Sequence, residues 1–356
     1  MSCRLRNLHN QKILAKIFGV DRATLLNLQK GKISHYRVRD IDKGDGSKRQ
    51  IEVPTGLLKT VHQVTKQQLS YLEHPSYLHS GTKGKSYFSN ASIHQHARSA
   101  VTIDISKFYP SCTQQAVLGF LVNELRQSLD VAKILANLLT FDGHIPTGSS
   151  SSQALAFWSY KRAFDEIYRY AKNKALVVTV YVDDLTLSSK TLATIPRHTH
   201  NDIAGILRRY GLKIKKEKIH YYDDNNAKRI TGVIVHPDGQ LEAPSKLKRK
   251  LHKDLLSQAA GVPQKLDSHS ALRTIGVTRA IRLIEGAASH SGLYGKLLSK
   301  EKIIQRQLAK KRRKLKELKE KHRREAQINF DLQDMRRPGD SYHESCCPEE
   351  RVHSST

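Results

Sequence analysis

The sequence predicts an α+β fold in which strands from distant parts of the chain meet in one sheet. Residues 100–105 alternate in polarity, which is the period of a half-buried strand. Residues 175–181 and 185–188 are apolar on both sides of a short polar bend, as expected for two neighbouring buried strands. Apolar residues at helical spacing fill the segments around these strands, so helices and strands mix along the chain.

The first 35 residues are expected to be helical, since leucines and isoleucines recur there at spacings of three and four. Residues 14–22 also mimic a helix-turn-helix, with Asp21 as the cap of its second helix. A DNA-binding regulator is therefore one alternative for the chain, but it leaves the motifs described below unexplained.

A β-hairpin is predicted next, with strands at 36–41 and 48–53 around a Gly-Asp-Gly turn at 44–46. We expect a helix at 57–72 and then a loop at 74–96, where glycine, serine and histidine are frequent. The later elements are predicted as helices at 118–139, 153–170 and 203–210, a loop at 143–152, and a last hairpin of residues 228–235 and 240–243.

Charge is the strongest compositional signal. The 356 residues include 61 Lys and Arg against 33 Asp and Glu, a formal net charge of +28 at pH 7. Such an excess repels itself unless a polyanion is bound, so nucleic acid is the expected partner. The apolar run at 175–182 is too short for a membrane span and the N-terminus lacks a secretory signal, so we expect a cytoplasmic protein without a membrane partner.

Three carboxylates end apolar strands. Asp183 and Asp184 lie at the bend between two of them, and Asp104 ends the earlier one. Ionised carboxylates in such places need a compensating partner, and Mg²⁺ prefers carboxylate oxygens while it retains water. On neighbouring strands they would hold two metal ions about 4 Å apart, one activating a hydroxyl and one neutralising a triphosphate. We therefore predict two Mg²⁺ ions, with Mn²⁺ as a substitute.

A second copy of the Tyr-x-Asp-Asp pattern shows that the four letters alone do not identify the site. Residues 181–184 and 221–224 both match it. The second copy follows a lysine-rich run and lacks flanking apolar strands, so we interpret it as a polar turn. The context of the pattern therefore selects Asp183 and Asp184.

These segments together resemble the ordered motif set of reverse transcriptases over residues 35–240. The matching segments are 48–54 (KRQIEVP) in the fingers, then 104–109 (DISKFY), 146–153 (PTGSSSSQ), 181–184 (YVDD) and 211–218 (GLKIKKEK) in the palm. Residues 90–94 (NASIH) and 230–232 (ITG) are similar to elements of bacterial retron reverse transcriptases. The chain departs from many relatives at Thr147, where they have Gln, and at Gln153, where they have Pro.

The resemblance implies a right-hand polymerase fold with fingers, a palm of antiparallel sheet and helices, and a helical thumb. The implied divisions are an N-terminal helical segment at 1–35, fingers at 36–99, a palm at 100–243 with a finger insertion at about 113–145, a thumb at 244–300, and a basic helical, then disordered tail at 301–356.

The resemblance also implies roles for individual residues. Asp104, Asp183 and Asp184 would be the catalytic metal ligands, with the Ile105 carbonyl as a further ligand. The implied nucleotide-binding residues are Lys48 and Arg49 at the triphosphate, Tyr109 beneath the sugar, Gly148 at the nascent pair or template, and Lys215 or Lys218 at the pyrophosphate. Each of these roles has an alternative. The charged residues of the hairpin would form a solvated face, the tyrosine would be a core aromatic, and the lysines would form a basic helix end.

RNA binding is assigned to a loop and to the basic C-terminal part. The residues are Asn90, His94, Lys246, Arg249, Lys250, Lys311, Arg312 and Arg313. For Asn90 and His94 the alternative is a hydrogen-bonded loop, and for residues 311–313 it is a solvated helix.

By this resemblance the chain is an RNA-directed DNA polymerase that uses dNTPs to copy part of its own structured noncoding RNA. It would prime from an RNA 2′-hydroxyl, produce branched msDNA, and act in antiphage defence with an effector encoded nearby. The alternatives are a defence-associated or diversity-generating reverse transcriptase, and a non-catalytic nucleic-acid-binding scaffold. The three intact aspartates argue against a scaffold.

Overall fold

The computed structural model describes residues 2–42, 46–259 and 268–286, together with Lys310, Arg313 and Glu317. The chain divides into two compact units, Met1–Gly261 with Val277–Ser289, and Val262–Gly276 with His290–Thr356. The sheets and the site described below belong to the first unit. The turn predicted at 44–46 and the tail predicted after 301 lie largely outside the described residues.

The N-terminal residues form two short helices, α1 (Gln11–Ile17) and α2 (Arg22–Lys30). The side chain of Asn10 caps the first helix, and Asp21 caps the second, as predicted. Both helices contribute side chains to the main hydrophobic core, so this pair packs on the body of the first unit. These side chains are Leu14, Ala15, Ile17, Leu25 and Leu28. The hairpin follows as β1 (Tyr36–Asp42) and β2 (Lys48–Pro54), paired antiparallel and largely exposed away from its base.

The helices that follow differ from the predicted ones at three places. Residues predicted as a loop contain α4, which begins with a capping box between Ser86 and Ser89. The helix predicted at 118–139 is divided by a π-helical turn at Phe120–Glu124, and the helix predicted at 153–170 is divided at Tyr160. The helices are α3 (Gly56–Leu69), α4 (Tyr87–Ile93), α5 (Phe108–Ser111), α6 (Gln114–Gly119), α7 (Leu129–Leu139), α8 (Ser152–Ser159), α9 (Lys161–Asn173), α10 (Thr199–Arg209), α11 (Ser245–Ala259) and α12 (Ser268–Glu285).

Four strands form the central antiparallel sheet, and its three longer strands confirm the sequence prediction. They are β3 (Ser99–Asp104), β4 (Val177–Tyr181), β5 (Asp184–Ser189) and β6 (His220–Tyr222), in the order β4-β5-β3-β6. Strands from distant parts of the chain are therefore neighbours. The two middle strands, β3 and β5, anchor the sheet in the core through their buried apolar side chains. These are Val101, Ile103, Leu185 and Leu187.

A smaller sheet replaces the last predicted hairpin. Its strands are β7 (Lys228–Ile230), β8 (Val233–Val235) and β9 (Leu241–Glu242), in sequential order. Residues 228–235 do not form one strand, because Thr231 and Gly232 have φ values of 45° and 83° and make a tight turn. None of the helices in the described part of the chain is long and apolar enough to cross a membrane.

Candidate active site

A two-residue turn between β4 and β5 carries the aspartate doublet. Tyr181 and Asp184 are register partners, so Val182 and Asp183 form the turn. Val182 has a φ of 60°, a conformation that β-branched residues rarely adopt. Its amide donates a hydrogen bond to the Ser80 hydroxyl at 3.0 Å, which helps to hold this conformation. The turn thus fixes two adjacent carboxylates at the end of the central sheet.

Asp104 lies beside this turn. It is the register partner of Asp184 across β3 and β5, and the amide of Ile105 donates to the Asp183 carbonyl at 2.9 Å. On β3, Thr102 and Asp104 are half-buried whereas Ile103 is buried, as the alternation predicts. The three carboxylates singled out from the sequence therefore lie together at one end of the sheet.

Burial and mutual repulsion perturb the doublet. Burial, then the charges of Asp183 and Asp104, raise the pKa of Asp184 to about 6. Burial, then the charge of Asp104, raise the pKa of Asp183, while Lys218 and Arg49 lower it. Carboxylates that are partly buried and repel one another gain from a bound cation.

Lys218 supplies some of the missing positive charge. Its ammonium lies 2.7 Å from Asp104 Oδ2, and this hydrogen bond is the main cause that raises the pKa of Lys218. Lys215 instead pairs with Glu217 at 3.6 Å, and only its backbone amide reaches the Asp104 carbonyl, at 2.8 Å. The lysine that contacts Asp104 is therefore Lys218, and nucleotide binding by Lys215 stays a prediction.

The chemistry of the three carboxylates fits Mg²⁺ or Mn²⁺, both of which prefer oxygen ligands. Among residues 2–42, 46–259 and 268–286, no three His, Cys, Asp or Glu side chains are grouped closely enough to enclose an ion as they stand. One oxygen of Asp104 pairs with the Lys218 ammonium. Asp104, Asp183 and Asp184 would hold a divalent ion, whose charge would compensate that of the doublet.

A cavity of about 530 Å³ opens beside Asp104 and Asp184. Aromatic and basic side chains face it from both sheets, namely Tyr181, Lys218, His220, Tyr222 and Arg229. Rings of this kind stack on bases and cations neutralise phosphates, so the walls of the cavity suit a nucleic-acid strand.

Tyr109 and Arg49 lie close enough to the carboxylates to interact with them electrostatically. Burial and the charge of Asp183 raise the pKa of Tyr109 to about 12, while Arg49 lowers it. Arg49 also lowers the pKa of Asp183, so the hairpin reaches the same site. Lys48 is exposed at the first position of β2, where it pairs with Asp42 in the hairpin register.

Gly148 lies against β2. A Cβ atom at this position would lie 2.7 Å from Ile51 Cγ2 and 2.8 Å from the Glu52 carbonyl oxygen. The Gly148 amide also donates to that carbonyl at 3.1 Å. This glycine therefore permits a close approach of the 146–152 loop to β2, and its contact with the nascent pair or template stays a prediction.

Asn90 and His94 are buried, which favours the alternative of hydrogen-bonded structural residues over RNA contacts. His94 is fully buried, and its ring nitrogens hydrogen-bond the hydroxyls of Ser188 at 2.6 Å and Thr179 at 2.8 Å. Asn90 is also buried, and its amide donates to the Thr231 hydroxyl at 3.4 Å. The two short segments similar to retron elements thus contact each other, which their spacing in the sequence does not reveal.

The basic residues assigned to RNA binding are exposed wherever the structure describes their side chains. Lys246, Arg249 and Lys250 are exposed on α11. Arg313 is exposed and forms an ion pair with Glu317 at 3.0 Å. Lys311 and Arg312 lie outside the described residues.

The second Tyr-x-Asp-Asp segment is structural. Tyr221 and Tyr222 belong to β6 and pair with β3, so the predicted polar turn begins only at Asp223. Asp223 Oδ1 accepts a hydrogen bond from the Asn225 amide at 3.1 Å, and Asp224 forms an ion pair with Arg98 at 2.6 Å. Arg98 immediately precedes β3, so this doublet lies at the end of the strand opposite to Asp104.

Two buried titratable side chains beside the site have no counterpart in the sequence predictions. Glu52 accepts hydrogen bonds from Thr147, and His62 hydrogen-bonds serines of the 146–152 loop. The alternation of β2 places Glu52 on the face opposite to Ile51, which predicts exposure. Nothing in the sequence around His62 distinguishes it from other histidines of a helix.

The class of the protein follows from a family comparison. A sequence profile described as reverse transcriptase (RNA-dependent DNA polymerase) matches residues 41–235, a segment that contains β2, the central sheet and all three aspartates. The match spans more than half of the chain, which therefore belongs to the reverse transcriptase family and has its right-hand polymerase fold. Members of this family generally use divalent metal ions.

Curated relatives define the type more closely. The chain is 28% identical over 229 residues to the Retron Se72 reverse transcriptase of Salmonella heidelberg (strain 579083-10), covering 62% of this chain and 60% of the relative. It is 25% identical over 241 residues to the Retron Ec86 reverse transcriptase of Escherichia coli, covering 65% of this chain and 74% of the relative. It is thus a bacterial retron-type member of the family, and it spans about 60% of the length of the first of these relatives.

A more distant likeness was found among solved structures. A telomerase from Candida albicans, in complex with a fragment of telomeric RNA, aligns with a TM-score of 0.44 and 13% identity over 83% of this chain and 64% of that chain. This likeness is too weak to add to the assignment.

Proposed function

We propose that the chain is an RNA-directed DNA polymerase that copies part of a structured noncoding RNA into DNA. The observation that carries the proposal is the register pairing of Asp104 with Asp184, with Asp183 beside them at the turn. Family membership supports this reaction over a non-catalytic scaffold. A scaffold would gain nothing from three carboxylates that repel one another.

Asp104, Asp183 and Asp184 would hold two Mg²⁺ or Mn²⁺ ions, with the carbonyl of Ile105 as a further oxygen ligand. When bound, such ions activate the primer hydroxyl and neutralise the triphosphate. Lys218, whose ammonium lies 2.7 Å from Asp104, would help to neutralise the phosphate charge that develops.

Tyr109 and Arg49 would select and orient the nucleotide. The half-buried ring of Tyr109 is held beside Asp183, and a bulky ring beneath the sugar leaves no room for a 2′-hydroxyl. The charge of Arg49 reaches both Tyr109 and Asp183, which suits a guanidinium that binds the triphosphate. Lys48, exposed on the same strand, would add a second phosphate contact.

In the proposed division into fingers (36–99), palm (100–243) and thumb (244–300), each part would contact nucleic acid. The cavity beside Asp104, with its tyrosines and basic residues, would hold the growing strand. Exposed Lys246, Arg249 and Lys250 of α11, and Arg313 farther along, would contact RNA phosphates.

The retron relatives support a further proposal about the product. The chain would prime from a 2′-hydroxyl within its own noncoding RNA, produce branched msDNA, and serve antiviral defence with an effector encoded nearby. A defence-associated or diversity-generating reverse transcriptase is the alternative. A gene for an inverted-repeat RNA upstream of this reading frame favours the retron assignment over it.

The reaction is tested with the purified chain, dNTPs, Mg²⁺, and RNA transcribed from the DNA that neighbours the gene. We expect DNA that is covalently joined to the RNA, loss of synthesis with EDTA, and recovery when Mg²⁺ or Mn²⁺ is restored. A primed RNA template serves as a second substrate. The absence of DNA synthesis on both substrates would contradict the proposal.

A further inference from the structure

A junction built around one buried carboxylate joins the hairpin to the 146–152 loop. Glu52 Oε2 accepts a hydrogen bond from the Thr147 amide at 2.8 Å and lies 2.5 Å from the Thr147 hydroxyl. The same hydroxyl lies 3.0 Å from the Gln50 carbonyl oxygen, and the Gly148 amide donates to the Glu52 carbonyl at 3.1 Å. Backbone and side chain of β2 are thus both tied to this loop.

The burial of Glu52 indicates that the junction fixes the position of β2 relative to the 146–152 loop. The residue is only 2% exposed, and a buried carboxylate is costly unless donors surround it. Thr147 supplies an amide and a hydroxyl, and His144 Nε2 lies 3.9 Å from the second carboxylate oxygen. An apolar side chain would fill this space at lower cost, so the carboxylate contributes directed hydrogen bonds.

The same loop is also held from α3. The Nδ1 atom of buried His62 lies 2.6 Å from the Ser149 hydroxyl and 2.7 Å from that of Ser151. Its Nε2 atom lies 3.1 Å from the hydroxyl of Tyr36, the first residue of β1. The 146–152 loop is therefore fixed by the body of the protein, and it offers Glu52 a firm attachment point.

The junction lies where the hairpin leaves the body. β2 is exposed from Lys48 to Gln50 and becomes buried at Glu52. Arg49 is three residues before Glu52 on the same strand, and its charge acts on Asp183. A change in the angle of β2 at Glu52 would therefore move the guanidinium relative to the carboxylates.

We propose that Glu52 and Thr147 are positioning residues that hold β2 at the angle from which Arg49 binds the incoming triphosphate. The inference rests on the proposed function. The Thr147 hydroxyl is engaged by the hairpin, so Thr147 acts through Arg49 and does not contact the nucleotide itself. This gives a physical role to one of the positions at which the chain departs from many relatives.

The test uses paired substitutions. Thr147→Val removes the hydroxyl and keeps the shape of the side chain, Thr147→Ser restores a hydroxyl, and Glu52→Gln removes the charge. Thr24→Val is the matched control, because Thr24 donates a similar hydroxyl hydrogen bond to the Asp21 carboxylate at 2.8 Å in α2, outside the site. Steady-state kinetics with dNTPs are measured with the thermal midpoint and with hydrogen exchange of peptides covering 46–54 and 144–152.

We expect Thr147→Val and Glu52→Gln to raise KM for dNTPs about three- to tenfold while kcat stays within about twofold, because ground-state positioning is lost. Thr147→Ser restores KM, and Thr24→Val leaves it unchanged. An unchanged KM in Thr147→Val at a normal thermal midpoint overturns the proposal, as does a loss confined to kcat. If the wild-type chain makes no DNA, the proposed function is wrong. Hydrogen exchange then tests the junction between Glu52 and Thr147 by itself. Faster exchange of 46–54 in both variants supports the junction, and unchanged exchange overturns it.

Discussion

Asp104 and Asp184 are direct partners across the antiparallel pair of β3 and β5, at the end of the central sheet. Direct partners in such a pair have Cα atoms about 4.5–5.5 Å apart. The pairing therefore brings carboxylates from distant parts of the chain within range of a shared ion. Lys218 binds Asp104 from a third segment, so the site depends on long-range packing.

Replacing Lys218 tests the electrostatics of the site in the absence of polymerisation. Lys218→Met removes the ammonium that pairs with Asp104, so repulsion among the three aspartates increases. We expect the free energy of unfolding in EDTA to fall by roughly 0.2–1 kcal/mol, because the lysine side chain of the pair is half-exposed. The rise in thermal midpoint on adding Mg²⁺ is expected to be larger than in the wild type. Lys216→Met, at an exposed neighbour, is the control, and an equal rise in all three proteins would contradict this role.

Replacing Tyr109 tests nucleotide selection. Tyr109→Ala opens space beneath the sugar, so discrimination between dNTPs and rNTPs should fall by about 10- to 100-fold in the ratio of kcat/KM values. Tyr109→Phe keeps the ring and should keep the discrimination. Unchanged selectivity in Tyr109→Ala would show that the ring is only a core aromatic.

Adding one methyl group at Gly148 tests the approach of the loop to β2. The new Cβ of Gly148→Ala would lie within 2.8 Å of Ile51 and Glu52, so we expect a destabilisation of about 1–3 kcal/mol. Gly205→Ala is the matched control in α10, since no atom lies within 4 Å of its Cβ position. There we expect a stabilisation of about 0.5–1 kcal/mol. Chemical denaturation measures the free energy of unfolding of both variants. Similar values would contradict the close contact between Gly148 and β2.

The buried histidine predicts how stability depends on pH. Burial lowers the pKa of His94 to about 3, so His94 stays neutral in the folded state while the unfolded chain binds a proton below about pH 6.5. Its stabilising contribution is therefore complete above pH 6.5 and falls as the pH decreases towards 3. Between pH 7.5 and 5.5 the expected loss from this residue is about 1.4 kcal/mol.

Urea denaturation of His94→Gln measures this contribution. The variant should be less stable than the wild type at pH 7.5, because hydrogen bonds to Ser188 and Thr179 are altered, but it should lose less stability on going to pH 5.5. Exposed His9, replaced in the same way, should leave the pH dependence unchanged. A wild-type pH dependence in His94→Gln would show that this residue is not buried in its neutral form.

The central sheet and the three aspartates follow from the sequence because their signals are local. β3, β4 and β5 are apolar runs with a clear period, and the bend at Asp183 is polar between two such runs. Strands of this kind have few alternative places in a fold, since their apolar side chains must be buried together.

The residues around the site could not be assigned in this way because their environments are set by distant partners. His94 resembles a loop residue in the sequence, yet β4 and β5 supply both of its hydrogen-bond partners. Glu52 follows an exposed stretch, yet Thr147 buries it. Lys215 and Lys218 are equivalent by composition, and only the path of the chain around Glu217 decides which of them reaches Asp104.

The most direct test of the proposed site compares the two aspartate doublets. Asp183→Asn removes a charge at the β4–β5 turn, and Asp223→Asn makes the same change in the structural doublet after β6. RNA-templated DNA synthesis and RNA affinity are measured for both. We expect Asp183→Asn to abolish synthesis with RNA affinity largely unchanged, and Asp223→Asn to retain synthesis. Normal synthesis by Asp183→Asn, or loss of synthesis only in Asp223→Asn, would contradict the assignment of Asp104, Asp183 and Asp184 as the active site.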